Sequence, residues 1–371
     1  MLTGATILAC ASACAISQET PTQKQRLSIW LITILAMLTA LLFGGCAGKA
    51  EPQRYEQVFL DVFDTVTTVI IYDTSEQHAN QMIEKAHALL LEYHQLYDIY
   101  NTYDGINNLA TVNANAGIAP VKVDDKILDM IDYAISMDEL TNGRMNIAMG
   151  GVLTIWKTYR DAGTENPDAA QLPPMDALTA ANEHALVSNI EIDRAAGTLY
   201  ITDPQTQIDV GAIGKGYAGQ QIIQLMKQES VTSLLLSIGG NVCSIGSRID
   251  GTGWKVGIQD PYSDANLCVV AVNGQNVVTS GTYERYYTVD GKRYHHIIDP
   301  STLMPSVLYD SLTVISSDSG LADALTTGLF CMPIDEGMAL IEKLPDTEAL
   351  WVFSDGTQQQ SSGFAAYITQ E

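Results

Sequence analysis

The spacing of apolar and polar positions separates strand-like from helix-like stretches along most of the chain. Residues 58–72, rich in Val, Ile, Thr and Phe, predict a strand. Over 76–97, Met82, Ala86, Leu89, Tyr93, Leu96 and Tyr97 recur at helical spacing. Ile127, Ile131, Ala134 and Ile135 predict a second helix over 124–141, with Gly143 as its stop. The stretch between them, 101–115, holds five asparagines and one glycine and predicts a polar loop whose amides can serve a ligand. Residues 47–54 predict a short tether, and 159–174 a polar loop ending in two prolines, before a short helix that runs to about Glu183. The segments 190–193 and 198–201 predict a hairpin around 194–197.

The second half opens on the stretch from Ile208, where a short apolar run ends in the acidic Asp209 and is read as a strand feeding a glycine-rich turn. Gly211, Gly214 and Gly216 follow within six positions, with Lys215 between two of them, and a helical pattern covers 217–228. Strand segments are expected at 233–238, 254–258, 267–272, 276–279, 285–289, 293–298 and 312–316, with Asp290-Gly291 as a hairpin turn. Helices at 319–331 and 334–344 and a closing strand at 349–353 complete the pattern. With no regular βαβ alternation and no internal repeat, the expected fold class is α+β: mixed, largely antiparallel sheets with flanking helices.

Composition narrows this reading. The chain of 371 residues is 46% hydrophobic and 17% charged, which argues against disorder. At about 150 residues per domain, that length suggests about two domains or lobes. Forty-three acidic residues against 19 basic ones give a net charge of −24, with no basic cluster, so no nucleic acid is expected as a partner. An anionic ligand must therefore be held by local cations or a metal.

At the N-terminus, Lys24 and Arg26 precede an uncharged run at 27–45 and then Cys46. A positive flank, an apolar core and small residues before a cysteine predict a leader or lipoprotein signal peptide over 1–45. A lipidated Cys46 and tether would then occupy 46–54, and the functional domain 55–371. The alternative is an uncleaved transmembrane anchor. Either reading places the domain outside the cytoplasm. Residues 1–23 hold a further apolar stretch that fits neither reading. Cys243, Cys268 and Cys331 form no metal or redox pattern and are expected as small core residues.

Candidate chemistry lies in four places. The glycine-rich turn before 217–228 can present backbone N–H groups and Lys215 to a phosphate, or can simply be a tight connection. Asp323 and Thr327, at i and i+4, suit Mg²⁺, or are a helix N-terminal carboxylate and an unrelated threonine. His295 and His296 precede a proline turn and offer a base or ligand, or a plain edge-strand pair. The polar turn 280–285 can cap a ligand or merely reverse the chain.

The order of these pieces resembles the ApbE family of flavin transferases, which move FMN from FAD onto a threonine or serine of another protein. The family's M-G-T start is matched by Phe63-Asp64-Thr65, its S-E-[ILV] loop by Asn107-Asn108-Leu109 followed by Asn113, and its G-x-F-D stretch by Gly143-Arg144-Met145-Asn146, with Trp156 beyond. D-x-G-x-x-x-K-G-Y-A is complete at 209–218, and the glycine pair with its amide stands at Gly239-Gly240-Asn241. T-S-G-x-Y-E-R occupies 279–285, H-I-I-D-P 296–300 and D-A-x-x-T 323–327.

The resemblance implies two lobes with the flavin site between them. It implies FAD contacts from Phe63, Asn107, Asn108, Arg144, Met145, Asn146, Asp209, Lys215, Ser280, Gly281 and Ile297. It also implies Mg²⁺ held by the Ala212 carbonyl, Asp323 and Thr327, with His296 beside the reacting phosphate. Asn146 stands for the usual aspartate, Asn108 for a glutamate and Leu303 for a glycine, so the turn after Pro300 is expected to differ. The function implied is FMN transfer with release of AMP. The alternatives are an Mg²⁺-dependent FAD pyrophosphatase and a non-catalytic FAD-binding lipoprotein. Acceptors would be flavoproteins of extracytoplasmic or membrane redox complexes.

Overall fold

The computed structural model describes residues 51–369 and, in the N-terminal segment, the helical residues Gln23, Ser28 and Trp30. The leader and Cys46 lie outside the described residues. Among the described residues no helix is long and apolar enough to cross a membrane. Pro52–Glu371 form one compact unit.

The expected strand at 58–72 is two strands, β1 (Gln53–Val62) and β2 (Thr65–Asp73), paired antiparallel. The chain reverses at Phe63 and Asp64, with φ of 53° and 51°, the paired left-handed conformation of a tight hairpin turn. Neither is glycine or asparagine, and Asp64 alone gives the turn only a weak compositional signal. Because β1 starts at Gln53, the last two residues of the expected tether are already strand.

Helix α1 (Glu76–Tyr97) begins where the Ser75 hydroxyl accepts the His78 N–H. The expected polar loop at 101–115 contains α2 (Leu109–Ala114), nucleated by Asn108 as N-cap. Then follow β3 (Val121–Lys122) and α3 (Asp125–Leu140), which stops at Asn142 and Gly143, both at positive φ. Helix α4 (Gly150–Glu165) runs well into the region read as a loop from residue 159, because Val152, Trp156 and Gly163 give it a buried face. Helix α5 (Met175–Asn182) and the hairpin β4 (Ile190–Asp193) and β5 (Thr198–Ile201) match the pattern.

Residues 208–210 are not a strand, and α6 (Gly214–Gln228) starts inside the glycine turn. β6 (Leu234–Ile238) turns through Gly239 and Gly240 into β7 (Asn241–Ile245), a buried strand that the pattern missed. β8 (Trp254–Gln259), β9 (Asn266–Val272), β10 (Asn276–Gly281), β11 (Tyr286–Val289), β12 (Lys292–His295) and β13 (Ser311–Ser316) follow. β12 stops at His295, three residues short of expectation. α7 (Ser319–Phe330), α8 (Ile334–Ile341) and β14 (Thr347–Val352) come next, and β14 is not last. β15 (Gln358–Gln360) and β16 (Ile368–Thr369) close the described chain.

The main sheet has eight strands in the order β1-β2-β6-β7-β10-β13-β14-β15, and every pairing is antiparallel. The α+β expectation holds. Strand alternation explains the layers. Val69, Ile71, Leu234 and Leu236 enter the core shared with α1 and α6. Ile70, Tyr72 and Leu235 point the other way, onto the small sheet β16-β9-β8 around Trp254 and Val270. Cys243 and Cys331 are buried and Cys268 half-buried, all as free thiols.

The turn after Pro300 keeps the conformation that glycine favours, contrary to expectation: Leu303 has a φ of 60°. Its N–H donates to the Asp299 carbonyl (2.8 Å) and its own carbonyl accepts the Trp156 indole N–H (2.9 Å). The side chain is buried beside Trp156, Val152 and Tyr287, and that burial offsets a left-handed cost of about 1–2 kcal/mol. Leu303→Ala therefore loses packing and keeps the strain, a cost of about 2–4 kcal/mol. Leu303→Gly loses the same packing but relieves the strain. Denaturant titrations should place the glycine variant about 1 kcal/mol above the alanine variant, the reverse of the usual order.

Candidate active site

One cleft of about 480 Å³ collects most of the singled-out residues, within the range of small-molecule sites. The β1–β2 turn supplies Phe63, Asp64 and Thr65, and the end of α1 with the loop beyond it supplies His94, Asp98 and Tyr100. The α4 face adds Lys157 and Arg160, and the chain just past β12 adds His296 and Ile297.

Charge is redistributed here. Five of the chain's 19 basic residues line the cleft (Arg144, Lys157, Arg160, Lys215, Arg285), against five of its 43 acidic ones (Asp64, Asp98, Asp209, Glu284, Asp323). Arg144 is held by the Cys331 carbonyl (2.5 Å) and Asp299 (3.7 Å), and Lys157 by Asp161. Arg160, Lys215 and Arg285 form no ion pair among the described residues. A protein this acidic leaves three cations unpaired in one cavity, which suits an anionic ligand.

The segment 208–210 reaches the cleft without a strand ladder. Asn113 takes the part of a strand neighbour: its Oδ1 accepts the Ile208 N–H (2.8 Å) and its Nδ2 donates to the Ile208 carbonyl (2.9 Å). The Asp209 N–H donates to the Ile147 carbonyl (2.9 Å), and Asp209 Oδ1 accepts the Gly211 N–H (2.8 Å). Burial pushes the Asp209 carboxyl up, against the Gly211 hydrogen bond and Arg285.

Asp323 and Thr327 lie one turn apart on α7 and both line the cleft, as does Ala212 in the turn before α6. Asp323 is buried, and its Oδ2 accepts the Gly216 N–H (2.7 Å). Burial raises its pKa, while Lys215, the Gly216 N–H and the nearby Asn241 amide pull the other way. Asn241 Nδ2 is itself buried, lies beside the carboxylate, and has no partner in hydrogen-bonding geometry. Gly216 is required by this contact: a Cβ there would stand 2.4 Å from both the Asp323 Cβ and the Ser319 carbonyl oxygen. Gly216→Ala should cost about 1–3 kcal/mol of stability by overpacking and shift the carboxylate. The check is the melting temperature, which should fall.

The cleft-lining residues Asp323, Thr327 and Ala212 offer one carboxylate, one hydroxyl and one backbone carbonyl, all oxygens, a set that suits a hard divalent cation. Among the described residues no group of three or more His, Cys, Asp or Glu could hold a metal. A cation here would thus depend on neutral oxygens and on its ligand's own phosphates, the usual habit of Mg²⁺.

His296 is half-buried, and its Nδ1 is enclosed without a hydrogen-bond partner. Burial, then Arg285, His295, Arg160 and Lys215, push its pKa down to about 3, so the ring of the free protein is neutral. His295 is committed elsewhere, with Nε2 on the Ser306 carbonyl (2.8 Å) and Nδ1 accepting the Ile297 N–H (3.2 Å).

Of the expected FAD contacts, Phe63, Arg144, Asn146, Asp209, Lys215, Ser280, Gly281 and Ile297 line the cleft. Asn107, Asn108 and Met145 do not. Asn107 is exposed and donates to the Lys122 carbonyl (2.8 Å). Asn108 is fully buried, with Nδ2 on the Gln95 (3.1 Å) and Asn101 (2.7 Å) carbonyls and Oδ1 on Thr111. Met145 is core. Asn146 spends both amide ends locally, Nδ2 on the Ala185 carbonyl (3.0 Å) and Oδ1 on the Ala148 N–H (2.7 Å). The first bond needs an amide, which aspartate cannot supply. Sequence reading missed His94, Asp98, Lys157 and Arg160. The one available signal was the i, i+3 spacing of Lys157 and Arg160 on a helix with Trp156 buried.

An antiparallel α+β frame, with oxygen donors and unpaired cations converging on one cleft, defines a protein built to hold a phosphorylated ligand. The model of the ApbE family matches residues 63–351, and this chain belongs to that family. It is 32% identical to the FAD:protein FMN transferase of Treponema pallidum over 351 residues, 90% of this chain and 94% of that protein. An FAD:protein FMN transferase of Klebsiella pneumoniae is 32% identical over 278 residues, 74% of this chain and 83% of that one. Among solved structures, the ApbE protein of Thermotoga maritima superposes with a TM-score of 0.75 at 26% identity, covering 86% of this chain and all of that one. The Vibrio cholerae flavin transferase ApbE shares the fold, with a TM-score of 0.71 at 22% identity over 85% of this chain and 99% of that one.

Proposed function

We propose that this chain transfers FMN from FAD onto a threonine or serine hydroxyl of an acceptor flavoprotein, releasing AMP, with Mg²⁺ required. The observation that carries this is the convergence of Asp323, Thr327, the Ala212 carbonyl and Lys215 on one cleft with a neutral His296. The acceptor oxygen attacks the phosphorus of the flavin half. The new P–O bond forms as the bond to the bridging oxygen breaks, and AMP leaves with that oxygen. Phosphoryl transfer of this kind depends on positioning and charge neutralisation. Asp323, Thr327 and the Ala212 carbonyl would hold Mg²⁺, which when bound neutralises pyrophosphate charge. Lys215, Arg160 and Arg285 orient the anionic ligand, and His296 takes the hydroxyl proton.

Purified protein given FAD, Mg²⁺ and an acceptor domain tests the reading. Flavin fluorescence that survives on the denatured acceptor supports transfer. Free FMN and AMP with no labelled acceptor would point to pyrophosphatase action, and neither product to a flavin carrier.

The same reading places the protein outside the cytoplasm, tethered by lipid on Cys46, where exported or membrane-bound acceptors lie within reach. Two acyl chains would give stable anchoring where one is marginal. Cys46→Ser should move the protein from the membrane to the soluble fraction of its host. Retention in the membrane after that change would favour an uncleaved anchor.

A further inference from the structure

We propose that His94 is a positioning residue for the FAD site, setting the cleft wall formed by the β1–β2 turn. The inference rests on reading the cleft as the FAD site. His94 stands in the last turn of α1, lines the cleft, and belongs to none of the signature stretches. Its Nδ1 accepts the Phe63 N–H (3.1 Å), and its ring meets the Phe63 ring edge-on at 5.9 Å. Nδ1 therefore carries the lone pair, and the proton of the neutral ring sits on Nε2, 3.4 Å from Tyr103 Oη. The Tyr103 hydroxyl donates in turn to Asp98 Oδ2 (2.8 Å). Asp98 Oδ1 also accepts the Tyr100 (2.7 Å) and Asn101 (3.0 Å) N–H groups. Each donor in the chain Phe63–His94–Tyr103–Asp98 thus points the same way.

This chain joins two walls of one cavity. On one side is the turn with Phe63, Asp64 and Thr65, and on the other Asp98, Ile99 and Tyr100. The turn needs an external hold, because Phe63 and Asp64 both sit at left-handed φ, which side chains rarely adopt. It also supports a signature element. The Gly239 N–H donates to the Val66 carbonyl (3.1 Å), and Thr65 packs so closely on Gly239 that a Cβ there would lie 2.3 Å from the Thr65 hydroxyl. Releasing the Phe63 N–H frees the turn and, through Thr65, the Gly239–Gly240 wall.

The test is FAD titration of the unaltered protein and of His94→Phe, His94→Gln and His94→Asn, alongside steady-state kinetics. Asparagine carries its Oδ1 where Nδ1 lies and can still accept the Phe63 N–H; glutamine mimics Nε2 alone; phenylalanine mimics neither. His94→Phe and His94→Gln should weaken FAD binding and raise KM for FAD about tenfold, with kcat at saturating FAD within about threefold. His94→Asn should stay within about threefold of the unaltered protein in both. These constants report folded molecules only, whereas a role in stability alone would lower the active fraction and leave KM unchanged. Equal KM in all four proteins, or a loss in His94→Asn as large as in His94→Phe, overturns the assignment. Failure of the unaltered protein to bind FAD overturns the reading of the cleft, and this inference with it.

Discussion

Asp323→Asn should slow flavin transfer about 10³-fold and raise the melting temperature of the ligand-free protein. The two effects share one cause. The Asp323 carboxylate is buried, and burial raises its pKa above 3.8 against the pull of Lys215 and the Gly216 N–H. A carboxylate kept where solvation is poor suits the cation proposed for this site. Asparagine keeps an oxygen for the Gly216 N–H but brings no charge to hold a metal. Losing several kcal/mol of transition-state charge stabilisation lowers kcat by about 10³-fold.

The stability change has a definite pH dependence. A carboxyl with a raised folded pKa binds its proton more tightly in the folded state than in the unfolded one. Between the two pKa values the unfolded state has already lost its proton, so the carboxyl's contribution falls as pH rises. The advantage of Asp323→Asn is therefore small below 3.8, grows as pH rises through the folded pKa, and is then constant. Melting curves with chelator at several pH values measure it. A variant less stable than its parent at neutral pH would show that the carboxylate is structural.

His296→Gln should leave folding and FAD affinity nearly intact and lower kcat by about 10²–10⁴-fold, the range for loss of a positioned base. Glutamine keeps the size and polarity of the ring but cannot take up a proton. His296 is distinguished from His295 by what is left open. His295 has both nitrogens engaged by backbone, whereas His296 has a buried Nδ1 with no partner. With its pKa pushed down to about 3 by burial and then by Arg285, the ring of the free protein is neutral. Histidine-selective NMR should find it neutral down to about pH 5, and its pKa should climb when FAD brings negative charge against Arg285, Arg160 and Lys215. A resonance titrating near 6.5 in the free protein would contradict the burial that this role requires.

The parts of this molecule legible in the sequence were those written in local terms. Glycine spacing at 211–216, the i, i+4 pair on α7 and the Asp290-Gly291 hairpin each declare themselves over a few residues. What escaped was written in long-range contacts. Residues 208–210 look like a strand because Ile208 and Val210 are apolar, yet the Ile208 backbone is satisfied by Asn113, 95 positions away, and the Asp209 N–H by the Ile147 carbonyl. The Phe63-Asp64 turn has no glycine, and its reversal is secured by His94, 31 residues on. Leu303 holds a glycine conformation because Trp156, 147 residues away, binds its carbonyl. The cleft's charge was legible only as a deficit: the sequence shows −24 overall, and only the fold gathers five cations on one cavity. The donors proposed for the metal were legible one by one, but only the fold brings Ala212, Asp323 and Thr327 to the same cavity.

The most direct measurement of the account as a whole is the stoichiometry of one reaction. Purified protein, FAD, Mg²⁺ and an acceptor domain are mixed, AMP is counted by chromatography, and the acceptor is weighed intact by mass spectrometry. The account predicts one AMP released for each FMN phosphoester found on a threonine or serine of the acceptor, and both products formed about 10³-fold more slowly by the Asp323→Asn variant. AMP released with the acceptor mass unchanged would contradict it, as would labelled acceptor formed at an undiminished rate by Asp323→Asn.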